Sequence, residues 1–185
     1  MATATKQENV SIDSATSPDD ACASDLSVAE LDAWRGLMRA HAALVKTLDA
    51  ELEQTHALPL SSFEVLLYLD HSADKRMRMC DLAESALLSR SGLTRLIDRL
   101  EREKLVERVS CESDARGAFA ELTEAGSKKL ADARATHLAG VREHYLERFD
   151  ATELELLGSF FERIAPGAAT APCGADPDSE VVTAA

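Results

Sequence analysis

Residues 77–109 read MRMCDLAESALLSRSGLTRLIDRLEREKLVERV. Met79 to Ser85 is a short helix that turns Leu82 and Ala83 inward, and Ala86-Leu87-Leu88 is a tight turn. Ser89 is an N-cap, because a serine oxygen accepts a free N–H of the first helical turn. The helix it opens runs to about Lys104, with Leu93, Leu96, Ile97 and Leu100 spaced by three and four. That spacing builds one apolar face. Leu105 to Val109 alternates as a strand, Ser110–Gly117 (SCESDARG) is a turn, and Ala118 to Leu122 alternates as the returning strand. Two short helices, a tight turn between them and a β-hairpin behind them make a winged helix-turn-helix.

The flanking sequence is helical. Ser27 with Glu30 fits a capping box, and Trp34, Leu37, Met38, His41, Leu44, Val45, Leu48 and Leu52 form one stripe down a helix to His56. Such a helix is roughly 45 Å long at 1.5 Å per residue, which in a small protein calls for a partner. Pro59 interrupts the chain, and Ser61-Ser62-Phe63-Glu64 reads as a second capping box opening a helix to about His71. SADKR, residues 72–76, is a polar loop. Thr123 caps a helix running to Phe149, and Asp150 with Glu153 caps a last one over 151–164. The expected order is α-α-α-α-β-β-α-α, a mainly α fold with a small β-hairpin. Residues 1–25 and 166–185 lack apolar periodicity and read as disordered tails.

Composition narrows the function classes. The 185 residues are 45% hydrophobic but only 4% aromatic, with eight glycines and five prolines, which favours helix over an all-β sandwich. There is neither a membrane-length apolar run nor a secretory leader, so a cytoplasmic location is expected. Cys22, Cys80, Cys111 and Cys173 form no C-x-x-C pair, so no zinc site, other metal site or cofactor is expected. The sequence holds no G-x-S-x-G, no phosphate loop and no H-E-x-x-H, so no enzyme is expected. The net charge of −13 opposes nucleic-acid binding, yet residues 73–116 hold ten Lys/Arg against nine Asp/Glu. A local patch, not the total, decides whether phosphates are attracted.

The second helix of the pair offers that patch. Its outward set is Ser89, Arg90, Ser91, Gly92, Thr94, Arg95 and Arg99. Short residues let a helix end approach base edges in the major groove, and arginines reach base acceptors or phosphates. Arg116 at the hairpin tip suits a narrow minor groove, with Asp114 placed to orient its guanidinium. Ser61, at a helix N-terminus, is a candidate phosphate holder. The residues alone leave two readings open: DNA binding, or a solvated helix pair of mixed charge.

The stretch from Leu60 to Gly126 resembles the MarR (multiple antibiotic resistance regulator) family. LPLSSFEVLLYL, the quoted segment, the D-x-R of SDARG and LTEAG carry the likeness, which extends over roughly residues 27–165. The resemblance implies a homodimer, with dimerisation helices over 27–57 and 124–165 and a DNA-binding lobe over 60–122. It implies double-stranded DNA, a pseudo-palindromic operator, as partner. Ser89, Arg90, Ser91, Thr94 and Arg95 fall on the family's recognition helix, and Asp114 and Arg116 on its wing. Many members carry D-R-R where this chain has Asp114-Ala115-Arg116, so one cationic wing contact is missing, and Lys104 stands where Gly is frequent.

The resemblance also implies a repressor released by a small phenolic or anionic effector. Trp34, Arg35, His41, Phe63 and Tyr68 are the candidate lining residues, although Trp34 and His41, seven apart, equally suit core or dimer contacts. Thiol control through Cys80 or Cys111 is a second way to sense. Cys111 lies near Arg108 in sequence, a neighbour that favours a thiolate. The remaining alternative is a helical adaptor that binds no DNA, which leaves unexplained a D-x-R hairpin beside SRSGLTR.

Overall fold

The computed structural model describes residues 26–111 and 114–167, with the backbone alone for 111 and 114–117. The expected tails lie outside the described residues, apart from Pro166 and Gly167 at the start of the second. Six helices and three strands follow in the order α1 (Val28–His56), α2 (Leu60–Asp70), β1 (Arg76–Arg78), α3 (Met79–Ser85), α4 (Arg90–Arg102), β2 (Val106–Cys111), β3 (Asp114–Leu122), α5 (Glu124–His144) and α6 (Ala151–Ile164). The chain divides into two compact units, one through Arg39 and one from Ala40 onward.

In the first unit the Ser27 capping box forms. The Ser27 N–H donates to Glu30 Oε2 at 2.7 Å, and the Glu30 N–H donates to Ser27 Oγ at 3.3 Å. The hydroxyl and N–H of Ser27 hold the Glu30 carboxyl below its usual range. Leu26, Val28, Trp34 and Met38 are exposed.

The second unit is built around α2. Phe63, Val65, Leu66 and Leu69 are buried together with Leu52 of α1, Leu82 of α3, Leu93, Ile97 and Leu100 of α4, Val106 of β2, Ala120 of β3, and Leu130 and Ala133 of α5. Each large aliphatic side chain among them stabilises the fold by about 1.5–3 kcal/mol. The buried row Gly126, Leu130, Ala133, His137 and Gly140 gives α5 one inward stripe. Two imidazoles fasten it to α1: His56 Nε2 lies 2.8 Å from Thr136 Oγ1, and His144 Nε2 lies 2.6 Å from Glu51 Oε1.

Several local expectations differ, among them the Ser110–Gly117 turn, of which Ser110 and Cys111 belong to β2 and Asp114 to Gly117 to β3. The hairpin is part of a three-stranded antiparallel sheet in the order β1-β3-β2, because Arg76–Arg78, expected as loop, pairs with Phe119–Glu121. The Ser61–Glu64 capping box does not form. Pro59 is the N-cap of α2 with no side-chain cap, and the Leu60 N–H donates instead to Asp49 Oδ1 at 2.8 Å. The long helix after Thr123 ends at His144, where Tyr145 leaves helical geometry and a single 3-10 turn, Leu146–Arg148, follows. Lys104, in place of the glycine frequent there, takes the left-handed backbone itself (φ 61°) and closes α4 through Lys104 N–H to Glu101 O and Leu105 N–H to Leu100 O.

Candidate nucleic-acid interface

Helix α4 begins where the sequence places it. Ser89 Oγ accepts the Gly92 N–H at 3.1 Å, one of the free donors that a helix start must satisfy. A Cβ on Gly92 would stand 3.0 Å from that same Oγ, so the small residue keeps the cap tight. Leu93, Leu96, Ile97 and Leu100 bury one face of the helix. The opposite face, with Arg90, Ser91, Thr94 and Arg95, is exposed. Thr94 Oγ1 donates to Arg90 O at 2.8 Å, which orients its methyl group and hydroxyl on the helix surface.

The arginines of α4 divide into two sets. Arg99, expected outward, donates through its guanidinium to Ser62 Oγ, a hydroxyl buried within α2. Arg102 Nε donates to Asp98 O at 3.2 Å. Arg90 and Arg95 make no ion pair or hydrogen bond through their guanidinium groups among the described residues. The guanidinium groups left without any protein partner among the described residues, Arg90 and Arg95, are thus in the N-terminal half of α4, whereas Arg99 and Arg102 are held by hydrogen bonds to neutral oxygens.

Arg108 on β2, absent from the expected set, engages the two carboxylates of the same helix. It contacts Asp98 Oδ1 at 2.6 Å, pairs with Glu101 Oε2 through its other terminal nitrogen, and reaches Thr94 O at 3.3 Å. Its backbone N–H also donates to Glu101 Oε1 at 3.1 Å. One guanidinium thus bridges both carboxylates of α4, offsetting one of their two charges, and holds the wing strand against the helix. The sequence signal that could have found it is an arginine on the inward side of a strand, opposite the fully buried Ala120. On the other side of the sheet, Arg76 and Arg78 lie 5.6 and 5.2 Å from the centre of the Phe119 ring, within range of cation–π attraction.

The remaining candidates are placed as follows. Asp114 and Arg116 belong to β3, and Cys111 to β2, but their side chains lie outside the described residues. Ser61 sits in the first turn of α2, whose leading N–H already faces the Asp49 carboxylate. Trp34 and Arg35 are exposed within the first unit. Phe63 is fully buried with its ring 4.5 Å from that of His137, which makes it core. His41 is exposed and Tyr68 half-buried. Burial raises the carboxyl of Glu64, and His41 partly opposes that shift. Cys80 is free and exposed, and its Sγ donates to Asp81 Oδ1 at 3.1 Å. An open cleft of about 350 Å³ at the base of the wing is lined by Glu101, Lys104, Val106, Glu107 and Thr123, none of them a predicted ligand residue. Among the described residues no group of three His, Cys, Asp or Glu is arranged to hold a metal ion, and no helix is long and apolar enough to cross a membrane.

A sequence model described as MarR family matches residues 58–117, from before α2 into β3. The chain is 35% identical to AbsC, a MarR family transcriptional regulator from Streptomyces coelicolor, covering 76% of this chain and 95% of that one with a TM-score of 0.72. It is 31% identical to Sco3205 from the same organism, a MarR family transcriptional regulator solved in complex with DNA. There the match covers 80% of this chain and 98% of that one with a TM-score of 0.74. It is also 29% identical over 105 residues to the HTH-type transcriptional repressor YetL of Bacillus subtilis (strain 168), covering 55% of this chain and 63% of the repressor's length.

Proposed function

The chain belongs to the MarR family of transcriptional regulators, and from that premise we propose that it is a homodimeric repressor that binds a pseudo-palindromic operator and leaves it on binding a small effector. The observation that carries the DNA reading is the pair of exposed guanidinium groups, Arg90 and Arg95, unpaired among the described residues while Arg108 absorbs the carboxylates behind them. In this reading Arg90, Ser91, Thr94 and Arg95 meet base edges and phosphates in the major groove. Ser89 and Gly92 keep the helix start slim enough to approach. Arg116 probes the minor groove, oriented by Asp114. Ser61 and Arg99 leave the DNA-facing set, the first because Asp49 places negative charge at that helix end, the second because it is engaged with Ser62.

The dimer reading rests on α6, which buries none of its residues and leaves Leu156, Phe160, Phe161 and Ile164 exposed. A helix with an apolar row and nothing on it calls for a partner surface. The repressor role follows the printed name of YetL, and the effector is expected to be a phenolic or anionic compound.

The test is a salt titration of binding to the DNA upstream of the protein's own gene. The wild-type dimer should bind one site with a steep salt dependence. Arg90→Ala and Arg95→Ala should each lower affinity and flatten the log–log salt slope by about 0.9 for each phosphate no longer neutralised. A phenolic acid panel added to the complex should release it. Binding that survives both substitutions unchanged would move the DNA contact off α4, and a wild-type protein that binds no DNA would point to the adaptor.

A further inference from the structure

Leu87 is a large apolar residue of the helix-turn-helix that the fold itself does not use. It follows α3, whose C-cap is Ala86, and takes a left-handed backbone at φ 52°. The turn closes by Leu87 N–H to Glu84 O at 3.1 Å and Leu88 N–H to Ala83 O at 2.8 Å. This is the helix-ending geometry in which glycine or asparagine is usual, since a branched side chain there is strained. Leu88 turns inward and packs on the core. Leu87 turns outward and is 92% exposed. Both backbone and hydration therefore disfavour leucine. Lys104 occupies the matching place after α4 with φ 61°, but its ammonium is well hydrated there.

The position says what would cover this side chain. Leu87 is two residues before Ser89, the N-cap of α4, so its Cα lies within about 7 Å of the Ser89 Cα. It is continuous with the exposed N-terminal face of Arg90, Ser91 and Thr94. A helix that enters the major groove by this end brings Leu87 to the groove's edge. The apolar group displayed there is the C5-methyl of thymine.

We propose that Leu87 is a specificity-determining residue that packs on a thymine methyl at the outer edge of each half-site. This rests on the DNA-binding reading above and adds one position of base preference to it. The contact is apolar and neutralises no phosphate, so it contributes affinity without contributing to the salt slope.

The experiment uses the full chain and a 30-bp-scale duplex that the wild-type protein selects from a randomised pool. Leu87→Asn keeps a residue at home in the left-handed backbone and removes the apolar surface, and Leu87→Met keeps the apolar surface. Leu87→Asn should melt no lower than wild type, bind the selected duplex about tenfold more weakly and leave the salt slope unchanged. Leu87→Met should bind within about threefold of wild type. Replacing thymines one at a time by deoxyuridine removes the methyl alone. One position per half-site should weaken wild type about fivefold and leave Leu87→Asn unaffected. If Leu87→Asn binds as tightly as wild type, or binds weakly while no deoxyuridine duplex distinguishes the two proteins, the proposal falls and the regulator reading stands. If the wild-type protein selects no duplex, the regulator reading falls and takes the proposal with it.

Discussion

Replacing Gly126 by alanine sets helix propensity against packing, and the structure decides the sign. Gly126 is in the first turn of α5, where its N–H donates to Thr123 Oγ1 at 3.0 Å. The same hydroxyl donates to Lys104 O at 2.8 Å, and the Thr123 N–H donates to Leu105 O at 3.2 Å. The end of α4, the base of the wing and the start of α5 are therefore tied together at one threonine. A Cβ on Gly126 would collide with the carbonyl oxygen of Leu105, stand 2.6 Å from Leu122 Cδ1 and 3.0 Å from Leu105 C. Propensity alone would make alanine better by at most about 1 kcal/mol. A clash with main chain cannot be relieved by a rotamer change, so overpacking of about 3 kcal/mol applies, together with about 1 kcal/mol for the strained Thr123–Leu105 hydrogen bond. The net expectation is destabilisation by about 3 kcal/mol, or a Tm lower by about 8–10 °C for a domain of this size. Urea unfolding at fixed protein concentration measures it, because subunit association would otherwise shift the midpoint. Gly140→Ala is the internal control. The atoms nearest its Cβ belong to the side-chain ends of Glu51 and Leu48 rather than to main chain, so its cost should be smaller, about 1.5 kcal/mol. A Gly126→Ala protein as stable as wild type would refute the claim that this close approach holds α5 against the wing.

Three further outcomes are expected. Burial holds the His137 imidazole below its ordinary value, and its Nδ1 has no hydrogen-bond partner among the described residues. The unfolded chain therefore takes up the proton first, and stability should fall as pH is lowered through about 6.5. His137→Phe should flatten that limb of the stability–pH curve, and parallel curves for the two proteins would exclude His137 as its source. Arg108→Ala strands Asp98 and Glu101 without their cation. Because the pair is partly exposed it should lower stability by only about 1 kcal/mol, less in 1 M salt, yet weaken DNA binding by leaving two carboxylates of α4 without their cation, Asp98 one turn from Arg95. Unaltered DNA affinity would count against that electrostatic role. Phe160→Glu places a charge in the exposed row of α6 and should yield monomers in sedimentation at micromolar concentration. A variant that sediments as a dimer would move the interface off this helix.

What was legible in the sequence was what local rules decide. The Ser27, Ser89, Thr123 and Asp150 caps each depend on residues within three positions, and all four form. The apolar face of α4 follows from a period that one helix sets by itself. What was not legible depends on distant chain. Arg76–Arg78 is too short for alternation to register, and becomes a strand only because Phe119 and its neighbours pair with it. The Ser61–Glu64 box fits the local pattern, yet α2 starts earlier, at Leu60 behind the N-cap Pro59, and its leading N–H is met by Asp49 from eleven residues away. Arg99 is on the polar side of an isolated helix, but α2 presents Ser62 to it. In each case a residue on another element supplies a partner that the local pattern does not contain.

The same distinction resolves how a chain of net charge −13 can present a surface suited to phosphates. Summing charge over residues 73–116 gives almost nothing, and that sum misleads because it weights every group equally. On α4 the two acids, Asp98 and Glu101, are both in the C-terminal half, and Arg108 arrives from β2 to engage them. Arg99 is drawn inward by Ser62, and Arg102 turns back onto the backbone of its own helix. Among the described residues of α4, Arg90 and Arg95 are left without a hydrogen bond or ion pair through their guanidinium groups, beside the helix start whose N–H groups already favour an anion. The field at that end is therefore positive by arrangement rather than by composition. Under the proposed DNA reading, acidic surface elsewhere would add selectivity, because DNA repelled from other approaches would meet this one as the productive encounter.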